Sequence, residues 1–226
     1  MPLVARPDDA GCLVFDWDGT LVDSTSANYQ ALARTLAGYG IPLDEDWYRA
    51  RTGMSSDEMI EVLSAGALDA VAVSAERDAL FLQSPDAVRE LSAVAGIARA
   101  FHGRVPLVVA SGGSGPVIRA TMRTLGLDGL FDAIVTREDV RAGKPEPDIF
   151  LLAAERVGVP PERCLVYEDS DEGLLAAARA GMPAIDVRPW RYGRLPPASI
   201  DVRAAPPGRH DPLPRHPAPN RKDRAS

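Results

Sequence analysis

The stretch Val14-Phe15-Asp16-Trp17-Asp18-Gly19-Thr20-Leu21-Val22-Asp23-Ser24 decides the fold. The apolar run 12–15 ends in two aspartates two residues apart, followed by a glycine. Four apolar residues without alternation read as a strand covered on both faces, as in a parallel sheet. Four more short runs have the same character: 106–110, 133–135, 164–167 and 184–187, each bounded by Gly, Pro, Asp or Ser. Amphipathic stretches at 115–125, 147–158 and 172–181 lie between them, with a glycine at or just after each end. Ser114 stands where the first of these needs an N-cap. Buried strands alternating with helices predict a Rossmann-like α/β core with a parallel sheet.

About ninety residues separate the first run from the second, whereas a crossover with its helix needs only about 12 or more. The excess reads as helices at 27–39, 46–51, 56–64 and 74–82, a small helical cap inserted over the carboxyl edge of the sheet. The expected division is therefore core 1–24 and 92–190, cap 25–91, and a tail 191–226. Nine prolines and eight lysines or arginines fall within 189–226, with few apolar residues, so the tail is expected to be disordered.

Composition bounds the function. The net charge of −7 speaks against a large nucleic-acid footprint. No apolar run approaches the roughly 20 residues of a membrane span, and residues 1–10 do not read as a signal peptide. Cys12 and Cys164 sit in apolar runs and read as buried reduced thiols. A cytoplasmic monomer with no membrane or nucleic-acid partner is the expectation.

Four constellations carry chemistry, each at the end of a buried run. Asp16 and Asp18 leave the first strand, and a turn at Gly19 must bring both to one site. Two carboxylates in one pocket repel, which favours one ionised and one protonated acid. A calcium loop also contains Asp-x-Asp-Gly but needs an acid near loop position 12, where this chain has Ala27. Ser111-Gly112-Gly113-Ser114 follows the second strand and opens a helix, an arrangement that suits a phosphate or simply caps the helix. Lys144 stands in Gly143-Lys144-Pro145 before a helix. Only Lys144 and Lys222 are lysines in a chain rich in arginine, which favours a compact ammonium wanted at position 144 over a chance surface lysine. Glu168 and Asp169 end the fourth strand, where carboxylates hold a hard cation such as Mg²⁺ or cap the next helix.

Asp16-Trp17-Asp18-Gly19-Thr20, Ser111, Lys144 and Glu168-Asp169 together resemble the four motifs of the haloacid dehalogenase superfamily, over residues 11–188. Within it, Phe101-His102-Gly103-Arg104, the stretch 139–149 and Ala180-Gly181-Met182 are similar to β-phosphoglucomutase-like sugar phosphatases of the fructose-1-phosphate type. The resemblance implies a Mg²⁺-dependent phosphatase acting on a small phosphorylated metabolite. It implies Asp16 as nucleophile, Asp18 as general acid/base, and Ser111, Gly112 and Lys144 around the phosphoryl oxygens. It implies a metal held by Asp16, the main-chain carbonyl of Asp18 and Asp169, with Glu168 close by.

Departures from the family patterns select the branch. Asp18 argues against dehalogenation, and the absence of any lysine before Lys144 excludes the phosphonate-cleaving branch. The mutases carry a hinge histidine and a cap arginine; the matching positions hold Asn28 and Ser56, which favours hydrolysis over isomerisation. A β-phosphoglucomutase-type isomerase, a phosphoglycolate phosphatase and a non-catalytic metabolite-binding module remain alternatives. Thr52, Gly53 and Met54 resemble the substrate-specificity loop, Gly53 permitting close approach. Arg77 is a candidate for a substrate anion or hydroxyl, though its pattern fits a solvated helix face better. Trp47 and Tyr48 read as core.

Overall fold

A computed structural model of the chain describes residues 7–84 and 87–190. The expected tail, 191–226, lies outside the described residues. Five parallel strands form one sheet: β1 (Cys12–Phe15), β4 (Leu107–Ala110), β5 (Ala133–Val135), β6 (Cys164–Glu168) and β7 (Ala184–Asp186), in the order β5-β4-β1-β6-β7. The central strand β1 sets the register, with Val14 opposite Val108 on one side and Val166 on the other. The two cysteines are direct partners in that register, both fully buried and both free thiols.

Strand alternation divides the core in two. Leu13, Phe15, Leu107, Val109, Leu165 and Tyr167 face α5 (Ser92–Phe101) and α6 (Gly115–Thr124). Cys12, Val14, Val108, Ala110 and Val166 face α7 (Asp148–Val157) and α8 (Asp171–Arg179), whose contacts include Ala153, Ala154, Ala176 and Ala177. The doubly covered parallel sheet inferred from the apolar runs is thus present.

The excursion after β1 is helical: α1 (Thr25–Gly38), α2 (Glu45–Arg49), α3 (Ser56–Ser64) and α4 (Ala70–Phe81). These helices share a small core of Leu32, Leu36, Tyr48, Met59, Ile60 and Val73. Local chemistry fixes their starts. The Asp44 carboxylate accepts from the Trp47 amide, Ser55 and Glu58 form a reciprocal capping box, and Asp69 accepts from the Ala72 amide. The Asp69 cap starts α4 four residues before the expected position 74.

Two features were not read in the sequence. Residues 92–101 form α5, packing Val94, Ala95 and Ala98 under the sheet. Val22–Asp23 (β2) and Arg89–Glu90 (β3) pair antiparallel, tying together the two chain segments that flank the four helices. Among the described residues, no helix is long and apolar enough to cross a membrane.

Candidate active site

Parallel strands bring their carboxyl ends to one edge, and ligands bind at that edge of an open α/β sheet. Asp16 follows β1 directly, its amide held by the Tyr167 carbonyl at 3.0 Å. After Asp18 the chain turns sharply: Gly19 has φ +86°, and its amide reaches the Val22 carbonyl. That left-handed conformation favours glycine, so the turn inferred at this residue is built as expected.

Lys144 stands on the segment between β5 and α7, and is only 7% exposed. Its ammonium donates to Asp16 Oδ1 and to Glu168 Oε2, each at 2.7 Å. The other Glu168 oxygen accepts from the amides of Asp169 and Ser170 at 3.1 Å and from Ser170 Oγ at 2.7 Å. Thr20 Oγ1 donates to Asp169 Oδ1 at 3.1 Å. Carboxylate oxygens of Asp16, Glu168 and Asp169 all lie within 4.8 Å of one another, and all three residues are buried.

The charges in this cluster do not cancel. Three carboxylates face one ammonium, −3 and +1, leaving −2 in a buried site. Burial pushes the Asp16 carboxyl well above its ordinary range; the neighbouring Glu168 charge adds to the rise, Lys144 opposes it and Asp169 raises it further. Burial pulls the Lys144 ammonium down, but the Asp16 and Glu168 charges outweigh it, and the group stays protonated. A divalent cation fits such a set, because it brings the missing two positive charges to hard oxygen donors. Glu168 is the least available donor, since both its oxygens are already engaged.

The side chain of Asp18 lies outside the three-carboxylate group. Its Oδ1 accepts from Ser24 Oγ and from Asn28 Nδ2, the latter at 2.9 Å. Ser111 is buried, and its hydroxyl accepts from the Gly113 amide at 3.0 Å. Ser114 starts α6 but makes no side-chain cap; the Gly115 amide donates to Glu138 Oε2 at 3.2 Å instead. The capping role expected for Ser114 is therefore taken by a carboxylate from another element.

A single cleft joins these groups. Asp16, Asp18, Ser111, Gly112, Lys144, Glu168 and Asp169 line it from the sheet side, and Asn28, Tyr48, Thr52, Gly53, Met54 and Arg77 line it from the helical side. Counted out into open solvent at the mouth, its space is about 830 Å³. The candidate site residues named from the sequence, the core-motif residues together with Thr52, Gly53, Met54 and Arg77, all line this cleft.

The sequence reading of Arg77 as a solvated residue is overturned, since Arg77 is 5% exposed. Its Nη1 donates to Asp78 Oδ1 at 2.7 Å and its Nη2 to Asn28 Oδ1. Its Nε is buried with no hydrogen-bond partner among the described residues. Tyr48 is buried as expected but also forms part of the cleft wall. Sequence reasoning gave no site role to Thr20 or Ser24, and considered Asn28 only as the position matching the mutases' hinge histidine. Thr20 and Ser24 sit inside the quoted motif, so proximity to the two aspartates was the available signal.

Residues 11–181 match the family model described as haloacid dehalogenase-like hydrolase. The chain is 37% identical over 180 residues to fructose-1-phosphate phosphatase YqaB of Escherichia coli strain K12, covering 78% of this chain and 95% of that protein. It is 31% identical over 183 residues to a phosphorylated carbohydrates phosphatase of Thermotoga maritima, covering 76% and 82%. Among solved structures, CbbY from Rhodobacter sphaeroides in complex with phosphate superposes with a TM-score of 0.72 at 27% identity, over 78% of this chain and 85% of that one.

Proposed function

The chain belongs to the haloacid dehalogenase-like hydrolases, and on that premise we propose that it is a phosphatase hydrolysing monophosphorylated sugars through an aspartyl-phosphate on Asp16. The observation that carries this reading is the buried convergence of Asp16, Glu168, Asp169 and Lys144 on a cleft shared with Asp18, Ser111 and Gly112. The similarity to sugar-phosphate phosphatases supports the substrate class.

Lys144 engages Oδ1 of Asp16, so Oδ2 is the oxygen that attacks phosphorus as the ester P–O bond breaks. Asp18 gives its proton to the departing sugar oxygen. Two donors already occupy Asp18 Oδ1, which leaves Oδ2 to carry that proton. A water then attacks the phosphorus of the acyl phosphate and yields a proton to Asp18, releasing phosphate and restoring Asp16. Ser111, the Gly112 amide and Lys144 hold the phosphoryl oxygens as charge develops on them. Asp16, the main-chain carbonyl of Asp18 and Asp169 would hold Mg²⁺, which supplies charge neutralisation and orients the phosphoryl group. The helices of 25–91 serve as a cap that excludes water, with Thr52, Gly53, Met54 and Arg77 facing the sugar.

Among the described residues, the cleft is lined by only two cations, Lys144 and Arg77, and Arg77 is paired with Asp78. A mutase must bind two phosphates, so this favours hydrolysis of a single ester. The two reduced, buried thiols accord with a cytoplasmic enzyme, and we take it to act as a monomer. Purified protein given fructose 1-phosphate and Mg²⁺ should release inorganic phosphate, and Asp16→Asn should lower the rate by at least about a thousandfold. Isomerisation of a hexose 1-phosphate to its 6-phosphate without phosphate release would overturn hydrolysis. No turnover of any phosphorylated metabolite would favour a binding module.

A further inference from the structure

Arg137 follows β5 at the carboxyl edge of the sheet and takes no part in the chemistry above. Its side chain is nevertheless only 14% exposed. Apart from Glu138 beside it in the chain, at 3.5 Å, its charged and hydroxyl partners all lie on the helical layer. Nη1 donates to Ser74 Oγ at 2.7 Å and stands 3.2 Å from Asp57 Oδ1. Nη2 donates to Asp78 Oδ2 at 3.1 Å. Ser74 and Asp78 are buried on α4, and Asp57 lies in the first turn of α3.

Asp78 is shared between two guanidinium groups. One oxygen accepts from Arg137 and the other from Arg77, which lines the cleft. Two arginines face Asp57 and Asp78 in the buried part of the cluster, with the half-exposed Glu138 beside Arg137 as a third acid. A planar fork can meet several acceptors on two helices at once, which a lysine ammonium cannot do in the same geometry.

We propose that Arg137 is a positioning residue: it clamps α3 and α4 onto the sheet edge and, through Asp78, sets Arg77 in the cleft wall. Its loss acts on the arrangement that encloses the substrate rather than on phosphoryl transfer. A smaller population of that arrangement weakens apparent substrate binding in proportion. The kinetic side of the inference rests on the phosphatase reading; the clamp itself does not.

The test compares the parent, Arg137→Ala and Arg137→Lys by amide hydrogen exchange and by steady-state kinetics with Mg²⁺. Arg137→Ala is expected to speed exchange in α3 and α4 about tenfold while α7 and α8 keep parental rates. KM for fructose 1-phosphate should rise about tenfold, with kcat within about threefold of parent. Arg137→Lys should fall between the two. If Arg137→Ala does not fold, Asp57→Asn removes only the outermost partner and should shift exchange and KM in the same directions by a smaller factor. Parental exchange in α3 and α4 overturns the clamp, and so does a lowered Tm with parental KM. If the parent turns over no phosphate ester, the phosphatase reading fails, and exchange alone decides the clamp.

Discussion

At the residue scale, the cluster at the sheet edge is governed by an excess of buried negative charge. In the folded state the raised Asp16 carboxyl holds its proton to higher pH than the unfolded chain does, where the ordinary value is about 3.9. The folded protein then binds more protons, so without a divalent cation Asp16 lowers stability as pH rises from that value through its raised one. Asp16→Asn should therefore be more thermostable than the parent in EDTA, by an amount that grows as pH rises above about 4, and Mg²⁺ should raise the parent's Tm more than the variant's. Scanning calorimetry reads both; a pH-independent difference would count against the charge account. Gly173 belongs to the same cluster for a steric reason. A Cβ there would meet the Glu168 carboxyl carbon at 2.1 Å. Gly173→Ala should displace Glu168 or α8, costing about 1–3 kcal/mol and most of the activity, as thermal melts and phosphate release would show. The aspartates, Ser111 and Lys144 were legible because each follows a buried strand or precedes a helix. The bonds from Asn28 and Ser24 to Asp18 were not, because they depend on how α1 leaves the turn at Gly19.

At the element scale, the sequence exposed what is local and hid what is packed. Capping residues at Asp44, Ser55 and Asp69 set the helix starts through bonds within three residues. The face of α4 was misread. Its buried positions are Val73, Ser74, Arg77, Asp78 and Phe81, a helical stripe that includes two charges. Charges on a buried stripe look solvated until Asn28 and Arg137 arrive from elsewhere to pair them. The loop between α2 and α3 approaches the sheet side closely: a Cβ on Gly53 would stand 2.4 Å from Glu172 Oε2 and 3.0 Å from Ser170 Cβ. The Glu172 tip can swing aside, but the Ser170 backbone carries α8. Gly53→Ala is expected to raise KM for fructose 1-phosphate several-fold with little change in Tm; an unchanged KM would show that this approach does not shape the closed cleft.

At the scale of the whole molecule, the chain has a net charge of −7 and concentrates four carboxylates, Asp16, Asp18, Glu168 and Asp169, on the cleft wall. A second phosphate would add about two negative charges with, among the described residues of the cleft, only the already paired Arg77 besides Lys144 to receive them. The expected outcome is a kcat/KM at least about tenfold lower for fructose 1,6-bisphosphate than for fructose 1-phosphate, a discrimination of about 1.4 kcal/mol. Equal values in a phosphate-release assay would refute the one-ester reading.

By itself the sequence determined the parallel α/β core, the helical excursion after the first strand and the residues that the strands deliver to one edge. Short apolar runs, turn glycines and caps are local signals, and parallel pairing then leaves little choice of edge. Only the tertiary structure decided that Arg77 is buried, that Glu138 rather than Ser114 serves α6, and that Arg137 joins sheet to helices. Each of these is a polar group whose environment is set by partners from other elements, some dozens of residues away, and no periodicity along the chain encodes such pairings.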